Sequence, residues 1–480
     1  MLKKGEREMN VVMICLDTFR ADCLASRGLK PFMKTPNLDR LATEGVLFEN
    51  AFGEAQPTIQ FRRTLCTGMR GFPWRFQFDI RGVWPHNDGW HKIPPEQTTL
   101  AELLLQNGYI TGLCADTYHL FKPTFNFTRG MASWDAIRGQ ETDNYRAGPL
   151  SAIDVKKYLP PGTTDDGKRL VQYLLNVQDR ESKEDYFPAK VFASACRFLD
   201  DVRDTQPFFL WIDSFDPHEP WDSPDEYANL YDPDWNEGWE PIFNVQSNKS
   251  NEKTIKRHIA RYYGECTFVD ECLGRLLDKL ESLKLLDETM ILVCSDHGTE
   301  LMDHGMLHKG EHRCRYRHNN EILCLMRFPG KAHAGKRIKP FVMSHDLFPT
   351  IAAACGVTHD PVDGQDLMPL IEGKTESLYD TIITGWSRYA SVRNRDYAYC
   401  CNYTTEDPEE TLFDLNADAE EKNNIANAQP DLSKDFRVQL EDFLGAKLPH
   451  KPPDMGMLTP APFNVWQEKS QAVRAFLSNL

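Results

Sequence analysis

Acidic side chains follow two predicted buried strands, where they could hold a divalent metal ion. Asp17 follows the apolar run Val11–Leu16, and Asp296 and His297 follow the run Met290–Cys294. A buried carboxylate needs a partner or a metal ion, and a carboxylate beside an imidazole suits a hard or borderline divalent cation. Taken alone, Asp17 fits a turn or a helix N-cap at least as well, and the second segment also fits a polar surface loop.

A hydroxyl and an arginine are spaced one helical turn apart in the segment 56–70. If a helix begins near Thr58, Thr58 and Arg62 share one face, and a hydroxyl at a helix N-terminus beside an arginine suits a nucleophile that faces an anionic ester. His218 lies between two prolines after the apolar run Phe208–Ile212, where a rigid backbone could hold it for proton transfer. An ordinary threonine N-cap and a plain loop histidine are the alternatives.

Length and charge limit the class of protein. The chain has 480 residues, of which 41% are hydrophobic and 26% charged, so we expect one large domain with a sizeable core plus a smaller domain. A formal net charge of -16 repels the phosphates of nucleic acids and disfavours a nucleic-acid partner. An anionic substrate would need a locally basic pocket.

The hydropathy pattern and the cysteines predict a cytoplasmic protein without a membrane partner. No apolar run approaches the roughly 18 residues that span a bilayer, and the first twenty residues have no secretory pattern. The 13 cysteines are odd in number, scattered and without a C-x-x-C pair, which indicates reduced, buried thiols.

Strand-like runs alternate with helical patterns over the first three quarters of the chain. This rhythm predicts an α/β fold with a large, mostly parallel sheet between two layers of helices. Asp17, Asp213 and Asp296 each follow such a run, so we expect them to converge at the carboxyl edge of the sheet. Residues 1–375 are assigned to this domain, and residues 376–480 to a smaller α+β subdomain that ends in a Pro-rich tail.

Several motifs in this order resemble the sulfatase family of the alkaline phosphatase superfamily. The resemblance extends to about residue 444 and implies an alkaline-phosphatase-like α/β fold. The motifs are D-T-F-R-A-D from Asp17, K-T-P-N-L-D-R-L-A-x-E-G-V-x-F-x-N-A at Lys34–Ala51, R-x-T-L-x-T-G at Arg62–Gly68, D-P-H-x-P at Asp216–Pro220, and S-D-H-G-x-x-x-x-D-H-G-x-x-x-K at Ser295–Lys309.

The resemblance implies one divalent metal ion with four protein ligands. Carried over, these ligands are Asp17, Thr58, Asp296 and His297. Thr18 stands where sulfatases usually have a second aspartate, a pattern similar to the phosphonate monoester hydrolases and related phosphodiesterases of the same branch. Mg²⁺, Ca²⁺, Mn²⁺ and Zn²⁺ are all compatible with this set.

The resemblance also assigns the catalytic residues, with one departure at the nucleophile. Sulfatases carry C-x-P-S-R or S-x-P-S-R, whose first residue becomes formylglycine, whereas this chain reads T-I-Q-F-R from Thr58. Threonine cannot form formylglycine, so Thr58 favours phosphoryl over sulfuryl transfer. Arg62 and Lys309 would bind the developing charge, and His218 would protonate or orient the leaving oxygen. Cys66, which has the right spacing to Arg70, is interpreted as a core cysteine.

Two substrate-binding positions depart from the family as well. Asp116 stands in the place of a sulfate-binding lysine, and Tyr118 in that of a histidine. A carboxylate there makes the pocket less attractive to anions, which predicts a singly charged diester or a substrate with an ammonium group. Alternatively, Asp116 pairs with Arg62 or Arg63.

The sequence therefore predicts a metal-dependent hydrolase of phosphate diesters or phosphonate monoesters that acts through a covalent Thr58 intermediate on a small anionic ester. A sulfatase that lacks formylglycine and a catalytically inactive binding protein with the sulfatase fold are the alternatives. A transferase that passes the group to an alcohol also stays open. A homo-oligomer is open too, because the C-terminal extension could close a neighbouring subunit's pocket.

Overall fold

A computed structural model of the chain describes residues 9–74, 88–121, 125–159, 168–205, 207–243 and 245–450, together with residues 475 and 478. The Pro-rich tail predicted after His450 lies outside the described residues, apart from those last two. The strands are β1 (Asn10–Leu16), β2 (Val46–Phe48), β3 (Ala51–Phe52), β4 (Ala55–Gln56), β5 (Ile110–Ala115), β6 (Ser133–Ala136), β7 (Phe208–Ser214), β8 (Thr289–Ser295), β9 (Glu300–Leu301), β10 (Leu307–His308), β11 (Cys324–Arg327), β12 (Lys336–Ile338), β13 (Val342–Met343), β14 (Ile382–Trp386), β15 (Tyr389–Arg393), β16 (Tyr397–Asn402) and β17 (Thr411–Asp414).

The α-helices vary from one turn to 31 residues in length. Helix α7, the longest, begins at an N-cap asparagine, Asn251, whose side chain accepts a hydrogen bond from the Thr254 N–H. The helices are α1 (Pro36–Glu44), α2 (Thr58–Thr67), α3 (Leu100–Gln106), α4 (Lys168–Val177), α5 (Phe187–Val202), α6 (Asp225–Ala228), α7 (Glu252–Ser282), α8 (Arg317–Asn320), α9 (Leu347–Ala354), α10 (Met368–Ile371) and α11 (Pro430–Leu444). No helix in the described ranges combines the length and apolar character needed to cross a membrane.

The large sheet has eight strands in the order β12-β2-β11-β8-β1-β7-β5-β6. All neighbours are parallel except those of β11, which runs antiparallel to both β2 and β8. The predicted mostly parallel sheet is therefore confirmed. Strand β1 is buried on both faces: Val11 and Met13 pack into the core with α2, α3 and α9, whereas Val12 and Ile14 pack with α1, α5 and α7.

A second sheet of five strands follows the order β17-β16-β15-β14-β4. Four of its strands come from the C-terminal part of the chain, and α11 packs against it through Phe436 and Leu440. Its fifth strand, β4, comes from the N-terminal part and runs parallel to β14. This pairing joins the small sheet to the segment that leads directly into α2.

Candidate active site

Three acidic residues converge at the carboxyl edge of the large sheet, as the sequence predicts. Strands β8, β1 and β7 are adjacent and in register, so Asp296, Asp17 and Asp213 lie beside one another. All three side chains are fully buried. Carboxyl groups so close together and away from water are stable only where cations compensate their charge or a carboxyl stays protonated.

Asp17, Asp296 and His297 form a group of potential metal ligands. One ligand atom from each lies within 4.8 Å of the others. His297 Nδ1–H donates to the Gly298 carbonyl at 2.8 Å, which leaves the lone pair on Nε2 free to coordinate. That Nε2 atom is buried and has no hydrogen-bond partner among the described residues.

The electrostatics of this group fit a divalent cation. Burial, and then the charge of Asp296, raises the pKa of the Asp17 carboxyl well above its ordinary value, so a cation between the two would relieve their repulsion. Burial lowers the pKa of His297 and keeps its imidazole neutral, the form that binds metals. Two carboxylates and one imidazole suit Mg²⁺, Ca²⁺, Mn²⁺ or Zn²⁺.

We expect divalent ions to raise the thermal unfolding midpoint, since an ion at 100 times its Kd adds about 2.7 kcal/mol to the free energy of unfolding. Calorimetry in EDTA and in each of the four ions measures this shift. His297→Ala should lose most of it. His304→Ala is the matched control, because His304 lies on the same loop but contacts Glu300 at 2.8 Å. Equal shifts in both variants would contradict the assignment.

Thr18 adopts a backbone conformation that is rare for a β-branched residue, with φ of 63°. In this conformation its N–H donates to Asp296 Oδ1 at 2.9 Å and its hydroxyl donates to Asp17 Oδ1 at 2.8 Å. The same hydroxyl accepts from Lys309 Nζ at 3.2 Å. Thr18 therefore links both metal-ligand carboxylates to the lysine instead of supplying a second carboxylate.

Arg62 lies behind the site and not at its surface. Its Nε and Nη2 atoms bind Asp213 at 2.8 and 2.9 Å. Its Nη1 atom binds Asp296 Oδ2 at 2.8 Å, pairs with Asp17 Oδ2 at 3.1 Å and donates to the Thr58 carbonyl at 3.1 Å. The side chain is fully buried, and protein acceptors already bind Nε, Nη1 and Nη2 of its guanidinium group. Arg62 therefore positions Thr58 and the aspartates, and no contact that it makes here supports the predicted binding of substrate charge.

Thr58 is the first residue of α2, and it lines a cavity of about 620 Å³. The N-terminus of α2 directs its free N–H groups and its partial positive charge towards this end. Thr58 and Arg62 share one face of the helix, as their spacing predicts. Cys66, on the same helix, is buried in the core, and burial raises the pKa of its thiol well above the ordinary value, which makes it inert.

Lys309 lines the same cavity. It forms an ion pair with Glu219 that the sequence does not indicate. Its Nζ atom donates to Glu219 Oε2 at 2.5 Å and to the Thr18 hydroxyl at 3.2 Å. The other oxygen of Glu219 lies 3.1 Å from His308 Nδ1. Burial opposes a charge on Glu219, but Lys309, His218 and His308 hold its pKa well below the ordinary range.

His218 lines the cavity with one face of its ring stacked on Phe215, the ring centroids 4.0 Å apart. Its Nδ1–H donates to the Glu219 carbonyl at 2.7 Å, so Nε2 is left as an acceptor. Burial, and then the charge of Lys309, lowers the pKa of His218 to about 3. In the free protein His218 is therefore neutral, with Nε2 available as a hydrogen-bond acceptor.

We expect the His218 imidazole to stay neutral throughout the range from pH 5 to pH 8. With a pKa of about 3 the imidazole is half-protonated only near pH 3, and a nearby metal ion would lower this pKa further. Histidine NMR, with His218→Asn to assign the signal, measures this titration. A midpoint near the ordinary value of about 6.5 would contradict the assignment.

Asp116 and Tyr118 lie outside the cavity lining. Asp116 accepts hydrogen bonds from the Phe215 N–H at 2.7 Å and from Gln140 Nε2 at 2.9 Å, and it pairs with neither arginine considered in the sequence analysis. The Tyr118 hydroxyl donates to Glu141 Oε2 at 2.9 Å. Both residues support the wall of the pocket, and the prediction that they contact substrate finds no support in this geometry.

Three aromatic residues line the cavity, and one of them comes from the C-terminal part of the chain. Trp90, Phe243 and Trp386 line it, and Trp386 also lies against His297 with ring centroids 5.2 Å apart. Trp386, with Arg388, belongs to the β14–β15 hairpin of the small sheet. The other lining residues are Pro57, Thr58, His119, Glu141, His218, Glu219, Val245, Gln246, His308, Lys309, Gly310, Glu311 and Ser387.

Two characterised relatives are similar over most of their length. The chain is 27% identical over 466 residues to an arylsulfatase of Clostridium perfringens, covering 88% of this chain and 90% of the relative. It is 27% identical over 416 residues to the multifunctional alkaline phosphatase superfamily protein PehA of Trinickia caryophylli, covering 76% and 77% respectively.

A structural superposition and two family models agree with the similarity to these relatives. A phosphonate monoester hydrolase of Agrobacterium radiobacter superimposes with a TM-score of 0.71 at 21% identity, covering 91% of this chain and 95% of that chain, which establishes the fold. The C-terminal model of N-sulphoglucosamine sulphohydrolase matches residues 303–445. The sulfatase family model matches residues 9–357, so the chain belongs to the sulfatase family of hydrolases that act on ester bonds.

Proposed function

We propose that the protein hydrolyses phosphodiesters or phosphonate monoesters through a covalent intermediate on Thr58. The observation that carries the proposal is the position of Thr58 in the cavity. It is exposed to the cavity at a helix N-terminus, and its backbone carbonyl is tied through Arg62 to both aspartates of the metal-ligand group. A hydroxyl at a helix N-terminus, beside residues that would hold a divalent ion, is suited to attack an anionic ester.

The residues around Thr58 have separate roles in the proposed reaction. Asp17, Asp296 and His297 would hold a divalent ion, which would supply positive charge to offset the charge of an anionic ester. His218 Nε2 accepts a proton as the hydroxyl attacks and returns it to the leaving oxygen. Lys309 donates to a non-bridging oxygen as negative charge develops.

The choice of phosphorus over sulfur rests on the second step. Formylglycine releases sulfate by forming a carbonyl group, and no attack on sulfur is needed. Thr58 has no such route, so water must attack the central atom of the intermediate. Hydrolysis of a phosphothreonine at phosphorus is an accessible reaction for a metal site. A sulfothreonine cannot release sulfate by carbonyl formation, as the formylglycine of sulfatases does, so water would have to attack sulfur.

A sulfuric ester is the second candidate substrate, and the comparisons favour it. An arylsulfatase is among the relatives that match nearly the whole chain, and the C-terminal family model derives from a sulphohydrolase. A chain of this kind would have to cleave a sulfothreonine by direct attack of water.

A rate assay on four chromogenic aryl esters tests the proposal: a phosphodiester, a phosphonate monoester, a sulfate and a phosphate monoester. The metal-loaded protein and its Thr58→Ala variant are measured in parallel. Fastest turnover of the phosphodiester or the phosphonate, lost in the variant, is the expected result. Fastest turnover of the sulfate would favour the second candidate, and equal rates in both proteins would refute a role for Thr58.

A further inference from the structure

Glu219 is the centre of a group of polar side chains on one wall of the cavity. Its Oε2 atom accepts from Lys309 at 2.5 Å and lies 3.3 Å from His218 Nδ1, and its Oε1 atom lies 3.1 Å from His308 Nδ1. The residue is only 8% exposed, so water screens these contacts poorly. Glu219 therefore acts directly on the charge of the lysine that faces the substrate.

The charges around the reacting position nearly balance. Arg62 already compensates Asp213, so its charge is not available to a ligand. Asp17 and Asp296 would offset the charge of the divalent ion that they would hold. Arg388 also lines the cavity, but its side chain is exposed to solvent. Lys309 is the cavity lysine that contacts Thr18 beside the metal-ligand group, and Glu219 holds it in a close ion pair.

Resting on the function proposed above, we propose that Glu219 restricts the active site to singly charged esters by neutralising Lys309. A phosphodiester, a phosphonate monoester and a sulfate ester each carry one negative charge, which the metal ion can match. A phosphate monoester carries a second charge near neutral pH. That second charge would need an uncompensated positive charge on Lys309, and Glu219 cancels this charge while leaving the ammonium able to donate a hydrogen bond. The second charge would also lie beside the buried Glu219 carboxylate.

The Glu219→Gln variant tests this specificity, because the amide keeps the shape of the side chain and removes its charge. We expect the ratio of kcat/KM for the aryl phosphate monoester to that for the phosphodiester to rise about 10-fold or more. Glu311→Gln is the matched control. Glu311 lines the same cavity, but its carboxylate accepts a hydrogen bond from the Arg388 N–H at 3.3 Å instead of binding Lys309. Its ratio should change less than about 3-fold.

Equilibrium binding separates this inference from the proposed reaction. Calorimetric titration of the metal-loaded protein uses inorganic sulfate as the doubly charged probe and dimethyl phosphate as the singly charged one. Glu219→Gln should bind sulfate about 10-fold more tightly and change little towards dimethyl phosphate.

Three results would overturn the inference. One is an unchanged selectivity ratio together with unchanged sulfate affinity in Glu219→Gln. Another is an equal gain in the control variant. The third needs no variant: tighter binding of sulfate than of dimethyl phosphate by the wild-type protein. Failure of the wild-type protein to hydrolyse any ester would refute the proposed function, but the binding titrations would still decide the role of Glu219.

Discussion

Replacing Thr58 with alanine should lower kcat by about 10³-fold or more while leaving the thermal unfolding midpoint nearly unchanged. The variant removes the nucleophilic oxygen, but Arg62 contacts the Thr58 backbone carbonyl, so the buried ion pairs persist. Steady-state rates on the best ester, measured beside calorimetry, test both parts of the expectation.

Two further variants control this result. Thr58→Ser keeps a hydroxyl on the same helix terminus and should retain activity to within about 10-fold. Cys66→Ala removes the thiol that has the spacing of a sulfatase motif, yet Cys66 is a core residue, so kcat should not fall with it. Loss of turnover in Cys66→Ala combined with normal turnover in Thr58→Ala would contradict the assignment of the nucleophile.

Replacing Arg62 with alanine should have the largest effect on stability, about 3–5 kcal/mol. The variant leaves the carboxylates of Asp213, Asp17 and Asp296 buried without their shared cation, and the penalty for a lone buried charge exceeds the value of the pair itself. Urea unfolding measures the loss. Arg62→Lys should recover only part of it, because an ammonium cannot reproduce the two-atom contact with Asp213.

A double variant separates charge compensation from packing. Combining Arg62→Met with Asp213→Asn removes both partners of the ion pair and should cost less than Arg62→Met alone. Strict additivity of the two single effects would show that Arg62 does not act through Asp213. Because metal binding adds its own stability, the series is measured in EDTA.

The sequence predicts the inner part of the site well because local rules determine it. Asp17 and Asp296 each follow a buried parallel strand, Asp213 is the penultimate residue of another, and adjacent strands in register bring these positions to one edge of the sheet. The Thr58–Arg62 spacing likewise fixes one helical face. These relations depend on chain periodicity alone, which a single sequence shows.

The rest of the site depends on contacts between distant segments, so the sequence indicates little of it. Trp386 reaches the cavity because β14 pairs with β4, more than three hundred residues earlier. Glu219 stands at the unspecified position x of the D-P-H-x-P motif. Its role in the site comes from its ion pair with Lys309, which is distant in sequence. Its place directly beside His218 was the one available signal. Asp116 accepts a hydrogen bond from the Phe215 N–H and so supports the ring against which His218 stacks, a contact that the sequence does not indicate.

The stereochemical course of hydrolysis tests the covalent Thr58 intermediate most directly. The substrate is an isotopically chiral ester of whichever element, phosphorus or sulfur, the aryl ester assay identifies. Two successive in-line displacements, first by Thr58 and then by water, each invert the central atom. We therefore predict net retention of configuration. Net inversion would show a single direct attack by water and would contradict a covalent intermediate on Thr58.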